Sequence, residues 1–223
     1  MSAHSPESRN AAFLALGDSY TIGEGVAENE RWPMQLAARL RAQGVAIEQA
    51  QIIARTGWTT DELSAAMDEA NLHPPYALVT LLIGVNNQYR GRPPDEYRVQ
   101  FGALLARAIA LAGDEARRVV VVSIPDWGVT PFARSEGRDA RQIATQIDAF
   151  NVIAHGEADA QRARFVDITG FSRAADLRGL LTADGLHPSG AQYARWVEAI
   201  APAAREALTC EPLAGQDPPY LTP

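Results

Sequence analysis

Lysine does not occur among the 223 residues, so all 20 basic side chains are arginine. Without an ε-amino group the chain has no P-loop lysine, no Schiff-base lysine and no Ser-Lys dyad. The single cysteine, Cys210, leaves no internal disulfide and no cluster of thiolates for a metal. Positive charge is also short: 27 acidic against 20 basic residues give a net charge of −7, which repels nucleic acid and anionic membrane surfaces. No apolar run approaches the roughly 20 residues of a membrane-spanning helix, and the polar opening MSAHSPESRN does not read as a signal peptide. These absences predict a cytoplasmic protein with no nucleic-acid partner, no membrane span, no cofactor and no metal.

Hydrophobic residues make up 47% of the chain, enough for one core at this length. One domain over 1–223 is expected, with a polar leader at 1–10 and an irregular Pro-rich tail at 209–223. Short apolar runs at 13–16, 46–54, 77–83, 118–124 and 164–168 read as strands. "LVTLLI" and "VVVVSI" are nearly continuous, as in strands covered on both faces. Between them lie amphipathic stretches at 31–43, 59–72, from Asp95, at 138–160 and from Pro188, the second opening on Thr59 three residues before Glu62. Such alternation predicts right-handed βαβ crossovers and an α/β fold, an open parallel sheet with helices on both faces. Ligands bind such sheets at the carboxyl ends of the strands.

At that edge, directly after the first strand, stands "GDSYTIGEG" with Ser19. A serine hydroxyl needs a base, a group that orients the base, and donors for the oxyanion formed at a carbonyl. Of the four histidines, His4 lies in the leader, His73 in a loop and His155 in a helical pattern, where a packing or surface role suffices. His187 in "TADGLHPSG" differs: Pro188 favours an extended backbone before it and a helix start at 188. Asp184, three residues earlier, is within reach of the imidazole. Candidate oxyanion donors follow the next two strands, Gly57 in "ARTGWTT" and Gly84, Asn86 and Asn87 in "LLIGVNNQYRG". Tyr20, Trp58, Tyr89 and Trp127 also follow strand ends and are candidates for lining a substrate site.

Four ordered blocks, "GDSY" at 17–20, Gly57, "GVNN" at 84–87 and "DGLH" at 184–187, resemble those of the SGNH hydrolases, also called GDSL-type esterases and lipases. The resemblance implies a three-layer α/β/α, flavodoxin-like fold with five parallel strands. It implies Ser19 as nucleophile, His187 as base, Asp184 as its partner, and Gly57 and Asn86 as oxyanion donors beside the Ser19 amide. The implied activity is hydrolysis of small acyl esters, as a short-chain esterase or deacetylase, with thioesterase or lysophospholipase action as the alternative. Tyr20 replaces the usual leucine, and Asn87 replaces the acid of the usual GxND block. Two rivals compete on residues alone. "GFSRA" at 170–174 resembles a nucleophile elbow on Ser172, and Asp18, Asp184 and His187 resemble ligands of a metal-dependent phosphoesterase.

Overall fold

The computed structural model describes residues 11–173, 177 and 179–209. His4, the leader, Ala174 of "GFSRA", Cys210 and the tail beyond Thr209 lie outside them. In chain order the elements are β1 (Ala11–Gly17), α1 (Ser19–Ile22), α2 (Trp32–Ala42), β2 (Ile47–Ala54), α3 (Thr60–Glu69), β3 (Leu78–Leu82), α4 (Val85–Tyr89), α5 (Pro94–Leu111), β4 (Val119–Val122), α6 (Pro131–Ser135), α7 (Ala140–Ala160), β5 (Arg164–Val166), α8 (Thr169–Ser172) and α9 (Gly190–Thr209). All five expected strands and all five long helices are present; β1 is longer than the expected 13–16, and most of the others are shorter by one to three residues.

The strands form one parallel sheet in the order β2-β1-β3-β4-β5, the doubly wound flavodoxin-like arrangement. Every residue of β3 and β4 is buried, whereas the edge strands β2 and β5 are mostly half-buried. The continuous apolar runs are therefore the interior strands, covered on both faces. Helices α2 and α9 pack together on one face, and α3, α5 and α7 line the other. The apolar stripes supply the contact: Tyr97, Phe101, Leu104, Leu105 and Ala108 on α5, Ile143, Ile147, Phe150 and Ala154 on α7, and Tyr193, Trp196, Val197, Ile200 and Ala204 on α9 are all buried. Among the described residues no helix is long and apolar enough to cross a membrane.

Register decides where the loops meet. Gly17 pairs with Ala54 on one side and Leu82 on the other, so β1, β2 and β3 end level. The segments carrying Ser19, Gly57 and Asn86 leave the sheet side by side, at the switch between β1 and β3 where the chain direction of winding reverses.

Three of the shifted boundaries have a visible cause or lie near the site. The fifth strand stops at Val166 because Asp167 Oδ1 accepts from the Thr169 amide at 2.8 Å and the Ser123 hydroxyl at 2.8 Å, turning the chain. The last helix begins at Gly190, not Pro188. Pro188 forms an isolated antiparallel bridge with Leu181, and Ser189 takes the cap position, its carbonyl accepting from Tyr193 at 3.0 Å and its Oγ from Gln192 at 3.4 Å. Thr209, expected to open the irregular tail, is still helical.

Candidate active site

Gly17 ends β1 with Thr21 and the Leu82 carbonyl so close that a Cβ would stand 2.2 and 2.6 Å from them. Only glycine allows the chain to turn at once into α1, which Asp18 caps by accepting the Tyr20 amide on Oδ1 at 3.0 Å. Asp18 is wholly buried, its Oδ2 is without a partner among the described residues, and desolvation raises its pKa to about 7. Ser19 is thereby fixed as the first residue of the helix, where a backbone N–H has no carbonyl one turn back to bind.

The second loop holds Gly57 at φ +89, in the left-handed region that favours glycine. Arg90 donates to the Gly57 carbonyl at 2.6 Å and pairs with Glu62 at 3.2 Å. Asn86, on α4, donates through Nδ2 to the Trp58 carbonyl at 2.9 Å, which leaves its second amide hydrogen unspent. Its neighbour Asn87 is fully buried: Oδ1 accepts from the Thr60 amide at 3.1 Å and Nδ2 donates to the Thr60 hydroxyl at 2.7 Å. The Asn87 amide thus ties the start of α4 to the start of α3, at the position where the GxND block usually has an acid.

The fourth segment precedes α9. Asp184 Oδ2 stands 2.6 Å from Nδ1 of His187, while Oδ1 accepts from the Leu186 amide (2.8 Å), the His187 amide (3.0 Å) and the Thr182 hydroxyl (2.7 Å). Partial burial works against ionisation of Asp184, but the hydrogen bonds from His187, Thr182 and the two amides outweigh it and hold its pKa well below the usual carboxylate range. An acceptor-only carboxylate at Nδ1 puts the proton of a neutral imidazole there, leaving Nε2 with its lone pair. The ring is 7% exposed and meets the Tyr20 ring edge-on at 5.7 Å, with Trp196 behind Tyr20 at 6.1 Å.

A cavity of about 230 Å³ joins these segments and is lined by Ser19, Gly57, Asn86 and His187 on its polar side. Tyr20, Tyr89 and Trp127 line it as well, together with Thr56, Val85, Phe132 and Leu186. Trp58 is a correction to the expected lining: it is half-buried against the core and contributes only its carbonyl, to Asn86. Leu186 was open to discovery in the "DGLH" block itself. Arg90 was not, because its contact to Gly57 spans 33 residues and leaves no local pattern.

Neither rival arrangement forms. Ser172 Oγ donates to the Thr169 carbonyl at 2.6 Å and accepts from the Asp126 amide at 2.8 Å, outside the cavity that Ser19 lines. Asp18, Asp184 and His187 do not come together as a ligand group among the described residues.

Comparison with known proteins agrees with this architecture. The chain is 25% identical over 204 residues to the esterase TesA of Pseudomonas aeruginosa, covering 88% of this chain and 89% of that protein. A crystal structure of TesA superimposes with a TM-score of 0.66 at 22% identity, covering 88% of this chain and 99% of the other. An acetyl xylan esterase from Geobacillus stearothermophilus superimposes with a TM-score of 0.68 at 18% identity over 89% of this chain and 95% of its own. At these identities the two structures speak for the fold alone. Residues 15–195 match the GDSL-like Lipase/Acylhydrolase family, and the chain belongs to that family of carboxylic ester hydrolases.

Proposed function

We propose that the protein hydrolyses small carboxylic esters through an acyl-enzyme on Ser19. The observation that carries this reading is the Asp184–His187 contact at 2.6 Å beside a cavity that His187 shares with Ser19, Gly57 and Asn86. Ser19 Oγ attacks the ester carbonyl while His187 Nε2 takes its proton, and Asp184 stabilises the imidazolium that results. The negative oxygen accepts hydrogen bonds from the Ser19 and Gly57 amides and from the remaining Asn86 amide hydrogen. When the intermediate collapses, His187 returns the proton to the leaving alcohol. Water then enters, gives a proton to Nε2 and attacks the acyl carbonyl; as that second intermediate collapses, the bond from the acyl carbon to Ser19 Oγ breaks, Nε2 returns the proton to Oγ, and the carboxylic acid leaves.

An organophosphonate ester tests the assignment directly. It is expected to block turnover and to leave its phosphonyl group, less the displaced leaving group, on the peptide carrying Ser19, and the Ser19→Ala protein is expected neither to be labelled nor to turn over p-nitrophenyl acetate. Labelling at Ser172, or full turnover by Ser19→Ala, would overturn the reading.

A further inference from the structure

The cavity beside Ser19 is small and chemically two-sided. At about 230 Å³ it falls below the ~300 Å³ at which pockets for drug-sized ligands begin. Hydrogen-bonding groups gather near Ser19, and Val85, Tyr89, Trp127, Phe132 and Leu186 make the rest apolar, with no Asp, Glu or Arg in the lining.

Trp127 is the most tightly held part of that wall. Its side chain belongs to the 3₁₀ turn Trp127–Val129 after β4 and is 2% exposed. The indole Nε1 donates to Gln88 Oε1 at 2.8 Å, and Gln88, 3% exposed, donates onward to Gln146 at 2.7 Å. Tyr89 meets the indole edge-on at 5.3 Å, Phe132 lies at 6.3 Å, and the Arg138 guanidinium stands 5.5 Å from its centre. Swinging the ring aside would leave two buried polar groups, Nε1 and Gln88 Oε1, without partners. The wall is rigid where a flexible side chain would yield.

The two arms of an ester can be assigned to sides of the cavity. The leaving oxygen must reach His187, so the alcohol lies along the 182–187 loop, whose Gly185 carbonyl accepts from the Phe132 amide at 3.1 Å. The acyl chain, on the opposite bond of the carbonyl carbon, is assigned to the side along α4, where Gln88 and Tyr89 hold Trp127, with Phe132 between the two sides. We propose that Trp127 is a specificity-determining residue that bounds the acyl side of the cavity and makes the enzyme prefer short, uncharged acyl groups over long ones, because a rigid, buried indole stands in an apolar wall of a cavity smaller than those that take drug-sized ligands. This inference rests on Ser19 being the nucleophile.

The test is a series of p-nitrophenyl esters from acetate to decanoate, run on the wild type, Trp127→Leu and Gln88→Met, beside a series of acetates with lengthening alcohols. Wild-type kcat/KM is expected to be higher on butyrate than on decanoate. Trp127→Leu is expected to raise the decanoate-to-butyrate ratio by at least roughly tenfold, the scale on which an apolar pocket separates chains of different length. Gln88→Met keeps the ring but frees the indole, and serves where Trp127→Leu does not fold; it is expected to raise the same ratio by a smaller factor. Unchanged ratios in folded, active variants, or a shift confined to the alcohol series, would overturn the role of Trp127 while phosphonate labelling of Ser19 persists. Loss of that labelling in the wild type would instead remove the nucleophile assignment on which the inference rests.

Discussion

Asp18 is buried with one oxygen capping α1 and the other unpartnered, so its charged form is held in a poor environment beside Ser19. Its pKa, raised to about 7 against 3.8 in an unfolded chain, means that the folded state keeps the proton longer than the unfolded state does. The destabilisation due to Asp18 is therefore absent below about pH 4, grows as pH rises from about 4 to 7, and is complete above 7; a shift of this size corresponds to roughly 4 kcal/mol. Denaturant melts from pH 4 to 8 are expected to show that decline in the wild type and to lack it in Asp18→Asn, which retains an oxygen for the cap. A wild-type profile parallel to that of Asp18→Asn would contradict it. Asp184 acts with the opposite sign in a separate window: its lowered pKa contributes stability above the unfolded value, and that contribution disappears as pH falls below about 4.

Two more residues are separable by kinetics. Asn86→Ala removes one oxyanion donor, so kcat is expected to drop by about 10²–10³ with KM nearly unchanged; a change in KM alone would remove Asn86 from that role. Ser172 satisfies the buried Asp126 amide. Ser172→Ala is expected to keep turnover near wild type and to cost about 1–3 kcal/mol in a denaturant melt, the penalty of an orphaned buried N–H.

Among the elements, α3 and α4 act as a pair. Asn87 binds both the amide and the hydroxyl of Thr60 at the start of α3, and that hydroxyl donates on to Gln100 of α5. Asn86 and Arg90, from the same short segment, hold the Trp58 and Gly57 carbonyls. The two loops expected to supply oxyanion donors are thus positioned against each other, not only against the sheet. Asn87→Ala is expected to destabilise by about 2–3 kcal/mol, because the Thr60 amide loses its buried acceptor. Asn87→Asp is expected to retain more, since a carboxylate still accepts that N–H and stands at a helix N-terminus. Thermal melts and kcat of both variants check this, and equal losses would show that the acceptor is not what matters. None of these contacts was legible in the sequence: Asn87 and Thr60 are 27 residues apart, Arg90 and Gly57 33, and hydrophobic periodicity carries no information about polar partners across a sheet edge. The strands and long helices were legible because their signal is local, in runs such as "VVVV" and in stripes at helical spacing. Pro188 misled for the same reason. Its backbone preference suits a first helical position, but the bridge to Leu181 and the cap at Ser189 moved the start of α9.

Across the whole molecule, the cavity draws on segments spread from Ser19 to His187, so a ligand in it touches all of them at once and opposes their local opening. A phosphonate on Ser19 is expected to slow amide exchange at 57–60, 84–90 and 182–187 together, as read by hydrogen-exchange mass spectrometry. Slowing confined to 19–22 would mean that the loops do not close on one ligand. The four blocks announced their residue types and chain order from the sequence alone, as did the interior strands and the helical stripes, because side-chain chemistry and short-range periodicity are properties of neighbouring residues. Tertiary structure alone decided that β1, β2 and β3 end level, that Phe132 lines the cavity while Trp58 packs against the core, and that Trp127 is pinned by Gln88. Register, burial and hydrogen-bond pairing depend on segments far apart in the chain, and they acquire values only when the sheet brings those segments together.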